Sequence, residues 1–133
     1  MPDSDAYDLV LALTDLKTRI FKTPGAGNTS KPFRVERANA EGLTVRTSNG
    51  GFVPLRPEAF QAGVKALGDL GATLPERWVP VSDDTLAAIL SSENREKAAT
   101  SYVLPLLEAV GVVEIERKRP SKARVRSPDV AGS

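Results

Sequence analysis

Apolar residues recur at spacings of three and four near the start of the chain. They alternate through the middle, then return to helical spacing before a last alternating pair. Leu9, Leu13, Leu16 and Ile20, widened by Val10 and Phe21, form one stripe and predict an amphipathic helix over residues 4–22. Ser4 is placed to cap it, Asp5 and Asp8 sit where the helix dipole favours anions, and Lys17, Arg19 and Lys22 crowd its last turn. Pro24 and Gly25 end it. From Phe33 the period falls to two. Phe33 and Val35 alternate with Arg34 and Glu36, and Leu43 and Val45 with Thr44 and Arg46. Asn49-Gly50-Gly51 is a hairpin turn signal, because Asn and Gly accept positive φ. Phe52 to Leu55 completes a three-stranded meander over residues 33–55, with Pro54 confining the last strand to an edge.

Helical spacing returns at residues 57–70, where Pro57 suits the first helical position and Phe60, Val64, Leu67 and Leu70 mark the inner stripe. After a loop at residues 72–77, Trp78 to Val81 reads as extended. Ser82 is expected to cap a short helix with Asp83 and Asp84 in its first turn and Leu86, Ile89 and Leu90 inward. A turn at residues 91–94 leads to a helix over about 94–110, with Ala99, Tyr102, Val103, Leu106, Leu107 and Val110 inward and Gly111 at its end. Pro105 removes the bond to the Ser101 carbonyl, so a kink or break is expected there. Residues 112–118 and 122–126 then pair as a hairpin with Arg119-Pro120-Ser121 at its tip, and residues 127–133 read as a disordered tail. The fold class is therefore α+β. A helix and three-stranded antiparallel meander (residues 1–55) precede a helical unit with a C-terminal β-hairpin (residues 56–126).

At 133 residues and 41% hydrophobic content the chain can bury a core and is not a disordered chain. It has no apolar run near the length needed to cross a membrane, and its first residues are acidic where a secretory signal is basic; a cytoplasmic protein is the simplest reading. Without Cys or His it offers no disulfide, thiolate or zinc site, and no cofactor or metal is expected. The net charge of +1 hides a segregation. Seven cations face two acids between Lys17 and Arg46, three face six between Thr47 and Asn94, and eight face five from Arg95 onward. The first zone contains Lys17, Arg19, Lys22, Lys31, Arg34 and Arg37, a candidate second basic surface or an ordinary solvated face.

Candidate chemistry narrows quickly. The loop PGAGNTSKP at residues 24–32 fails the phosphate-binding pattern, because Ser30 precedes Lys31 and Pro32 follows it. Asp83 and Asp84 belong to a helix start. Glu114, Glu116 and Lys118 form an E-x-E-x-K series that a metal-dependent nuclease could use, but alternate charges are also the default on the solvated face of a hairpin. Nucleic-acid binding draws on more of the chain. Arg117, Lys118, Arg119, Lys122, Arg124 and Arg126 put six cations into ten residues, and cations that reach phosphates release counterions. The turn and early helix before them are expected to expose Asn94, Arg95, Lys97, Thr100 and Ser101, residue types that can read base edges.

Residues 56–126, above all SYVLPLLEAVGVVEIERKRPSKARVR, resemble the winged helix-turn-helix superfamily in the order helix, strand, helix, helix, hairpin. The resemblance implies that the helix at about residues 93–111 enters a DNA groove and that the hairpin at 117–122 lies on the backbone. Pro105 departs from the usual pattern. The expectation is a non-enzymatic protein that binds double-stranded DNA, a regulator (of transcription, for example) or an accessory subunit. Winged helices also dock proteins, so an adaptor is the alternative, with a homodimer or a larger protein as partner. Residues 1–55 resemble no family and suit a dimerisation arm, a second nucleic-acid surface or a docking site.

Overall fold

The computed structural model describes residues 5–25, 30–94, 99–118 and 121–126. Among them the chain is mixed α+β, with four α-helices and two antiparallel sheets. No helix is long and apolar enough to cross a membrane. The expected cap Ser4 and the tail at residues 127–133 lie outside the described residues.

Tyr7 decides how the chain begins. Its side chain is buried, its ring packs 5.1 Å from that of Phe60, and its hydroxyl donates a 2.6 Å hydrogen bond to the Asn39 carbonyl. Burial pushes its phenol pKa up to about 12. The inner face of helix α1 (Asp5–Leu11) is therefore Ala6, Tyr7 and Val10, which leaves Leu9 exposed on the other side. The helix predicted over residues 4–22 is thus corrected to this short α1. Residues 12–19 run on as turns, with Ala12 N–H bonded to the Asp8 carbonyl and Arg19 N–H to the Asp15 carbonyl. Phe21 belongs to a strand instead. It is buried, its ring stacks 5.6 Å from Phe33, and Phe21–Lys22 pair with Phe33 and Pro32 as β1.

That strand makes the predicted three-stranded meander four-stranded. Its order is β1, β2 (Pro32–Asn39), β3 (Gly42–Thr47) and β4 (Phe52–Leu55), all antiparallel neighbours. A register shift between Val35 and Arg37 sets Glu36 as an extra residue in β2. The alternation is as read: Phe33, Val35, Leu43 and Val45 are buried and Arg34 and Arg46 exposed. Strand β4 is an edge, as Pro54 requires. In the β3–β4 turn Gly50 takes φ of 88°, while Asn49 works through its side chain, which accepts from the Thr47 hydroxyl and the Gly51 N–H.

Helix α2 (Pro57–Gly71) follows, with Pro57 in its first turn as expected. A 3₁₀ turn at Pro75–Arg77 holds Glu76 and Arg77 at positive φ and delivers β5 (Val79–Pro80). Helix α3 (Asp84–Ser92) is capped by Asp83, whose Oδ1 accepts from Leu86 N–H at 2.9 Å. The predicted cap at Ser82 is therefore corrected by one residue. Helix α4 (Thr100–Ala109) starts later than residue 94 and runs through Pro105 without a break. Strands β6 (Val113–Glu116) and β7 (Lys122–Val125) close the second sheet, in the order β5, β7, β6.

Five consecutive residues of α4, Val103 to Leu107, are buried. The helix packs on α1, α2, α3, β1 and β6, so apolar residues all round it find partners. Close approach is possible because Gly63 has no Cβ; one there would sit 3.2 Å from a Leu90 methyl and 3.5 Å from Val103. A single hydrophobic cluster extends from Tyr7 and Val45 through Phe60 and Leu106 to Ala123. The boundary at residue 55/56 is a change of pattern along the chain and does not divide the core.

Candidate nucleic-acid interface

The C-terminal hairpin is built by the switch from helical to alternating spacing. Gly111 at φ of 82° ends α4, and Val113 and Ala123 turn inward. Ile115 and Val125 pack against the same core. The opposite face carries charge in register: Glu114 pairs across the strands with Arg124 and Glu116 with Lys122. Arg124 Nε lies 2.7 Å from Glu114, and Lys122 Nζ lies 3.4 Å from Glu116. The acids read as potential metal ligands therefore serve as the anions of a cross-strand ladder. Among the described residues no three acids gather to hold a metal ion.

Arg124 does more than pair. Its guanidinium lies 4.3 Å from the Trp78 ring centroid and donates at 2.9 Å to the Glu76 carbonyl. It clamps the positive-φ turn against the hairpin, so its main partners are protein groups. Arg117 is engaged as well, bonded to Glu108 at 2.7 Å and to the Lys22 carbonyl at 3.2 Å. Lys118 and Arg126 are exposed and have no ion pair among the described residues. Arg119 lies outside those residues.

The helix expected to read bases also differs from the expectation. Asn94, expected to be exposed, is buried with 1% of its surface accessible. Its Oδ1 accepts from Arg56 N–H at 2.7 Å and its Nδ2 donates to the Pro54 carbonyl at 3.0 Å. It ties strand β4 and the start of α2 to the turn after α3, where a base cannot reach it. Arg95 and Lys97 lie outside the described residues. Thr100 is partly buried and Ser101 exposed, and both line a groove of about 870 Å³ with Thr23, Ser91, Tyr102 and Ser121.

The cations of the first basic zone are more exposed than the described cations of the hairpin. Lys17, Arg19, Lys22, Lys31, Arg34 and Arg37 are all exposed. The Arg19 guanidinium stacks 5.3 Å from the Phe21 ring centroid. Arg34 stands directly opposite Arg46, and Arg46 opposite Phe52, so the three form one row across β2, β3 and β4. Phe52 is 59% exposed, and the Arg46 guanidinium lies 5.9 Å from its ring centroid. Reading Phe52 only as a strand residue misses this row. Its signal is the alternation itself, which in a strand ending Phe-Val-Pro-Leu sends Leu55 and Phe52 to opposite faces.

No family model matches this chain, and neither a curated protein nor a solved structure is significantly similar to it.

Proposed function

We propose that residues 56–126 act as a winged helix-turn-helix unit and that the protein binds double-stranded DNA without catalysing a reaction, as a regulator or accessory subunit. One observation carries the reading: strand β5, between α2 and α3, pairs with the return strand β7 and not with β6. The order helix, strand, helix, helix, hairpin along residues 57–125 supports the reading, and the β5–β7 pairing ties the strand between the helices to the hairpin. In this reading the start of α4 approaches a groove and the hairpin lies on the phosphates. Lys118, Arg119 and Arg126 are the hairpin cations assigned to the backbone, because Arg117, Lys122 and Arg124 already have carboxylate partners. Replacing those three with Ala should weaken duplex binding and flatten the log-log salt dependence by up to about 0.9 for each phosphate left unneutralised. An unchanged slope in a folded variant would remove the hairpin from the interface.

A second reading has its own support. Burial of Val103 to Leu107 and the edge-on packing of Tyr102 on Phe33, 5.2 Å between centroids, leave α4 little beyond its first turn to offer a groove. An adaptor that docks a protein fits that burial. Absence of salt-sensitive duplex binding by the wild-type chain at about 50 mM salt, where electrostatic binding is strong, would make the adaptor the better account.

A further inference from the structure

The outer face of the four-stranded sheet has a composition that stability does not explain. Like charges directly opposite each other on one sheet face destabilise it, yet Arg34 faces Arg46. Neither is ion-paired among the described residues, and nor are Lys22 or Arg37, which share the exposed side. Glu36, in the bulge, and Glu41, in the β2–β3 turn, are the nearby acids, and no ion pair links them to these cations. The row continues into apolar surface. Ile20 lines the hollow beside Arg34 and Arg46, and Ile20 and Phe52 are 61% and 59% exposed. Cations interleaved with an exposed ring and an exposed aliphatic side chain complement a polyanion that also has flat apolar faces.

We propose that this sheet face binds single-stranded DNA, with Arg34, Arg46 and Arg37 on phosphates and Phe52 stacking against a base. Geometry selects a single strand over a duplex. Three interstrand spacings make the backbone of the face about 14 Å wide before side chains are added. A major groove of about 12 Å admits a helix or a two-stranded ribbon, not this sheet. A single strand can lie across the row, because its bases are free to stack on a ring while its phosphates meet the arginines. The choice of DNA over RNA rests on the duplex-DNA reading above; the sheet-face binding itself does not.

The test uses the full chain and fluorescence anisotropy with labelled dT20, rU20 and a 20-base-pair DNA duplex. Arg34→Ala with Arg46→Ala should lower dT20 affinity at least about tenfold and flatten the log-log salt slope by about 1.4, two phosphates at about 0.7 each. The same double variant should melt no lower than wild type, since it removes a like-charge pair. Phe52→Leu should lower dT20 affinity about fivefold or more, and Phe52→Trp should restore it, because stacking needs a π-face. Duplex affinity should be unaffected by all of these variants. Failure of the wild type to bind dT20, dT20 affinity unmoved by the variants, or equal losses on duplex would overturn the sheet-face proposal. Tighter binding of rU20 than dT20 would overturn the assignment to DNA. Loss of duplex binding with dT20 binding intact, in the hairpin variants, would instead bear on the winged-helix reading alone.

Discussion

Gly50 shows how little a turn can depend on packing and still constrain the sequence. It sits at φ of 88°, and a Cβ built there meets nothing within 4 Å. Any penalty for a side chain is therefore conformational. Gly50→Val should destabilise the protein by about 1–2 kcal/mol, because a β-branched residue resists the left-handed region. Chemical denaturation should show a lower midpoint with the slope unchanged; an unmoved midpoint would mean the turn relaxes to another conformation. Asn94 and Arg124 are the opposite case. Their residue types suggested DNA contacts, and their side chains are spent on the protein: Asn94 on two backbone groups, Arg124 on Glu114, Glu76 and Trp78. Nothing in a residue's own identity distinguishes those roles. What distinguishes them is whether a neighbour far along the chain comes within reach.

At the scale of elements, the hairpin ladder has a measurable consequence. Glu114 and Glu116 neutralise Arg124 and Lys122 across the strands. If the hairpin lies on DNA, Glu116→Gln should tighten duplex binding by severalfold and steepen its salt dependence, since it releases Lys122 to a phosphate. Weaker binding would mean that the ion pair holds the hairpin in its binding shape. The alternation of Glu at 114 and 116 and of cations at 122 and 124 was legible, but their register was not: a tip centred on residues 119–121 sets Glu116 opposite Arg124, whereas the strands pair Glu116 with Lys122 and Glu114 with Arg124. The meander, α2, the edge position of β4 and the final hairpin were legible because period and turn chemistry agree in each. The N-terminal helix was not. Apolar residues at 9, 10, 11, 13 and 16 fit more than one stripe, and the choice was made by Tyr7 reaching Phe60 and Asn39 and by Phe21 reaching Phe33. The row of Arg34, Arg46 and Phe52 was half legible: its alternation was visible, its strand register was not.

At the scale of the whole molecule, the two halves of the chain share one cluster. A fragment of residues 56–133 would uncover α4, which touches α1 and β1 as well as its own unit. It should lose the sharp thermal transition of the full chain and bind a dye such as ANS, as a loosely packed state does. A cooperative melt of the fragment would show that its unit folds alone. The packing of Phe33 against Tyr102 carries this dependence into the history of the molecule. A ribosome extends a chain by about 5–20 residues each second, so about 70 residues of synthesis separate the emergence of the two rings by about 3 to 14 s. For that interval the inner face of the first sheet is on the nascent chain without the helix that covers it. The growing polypeptide must keep that apolar surface from its neighbours by some means other than its own final structure.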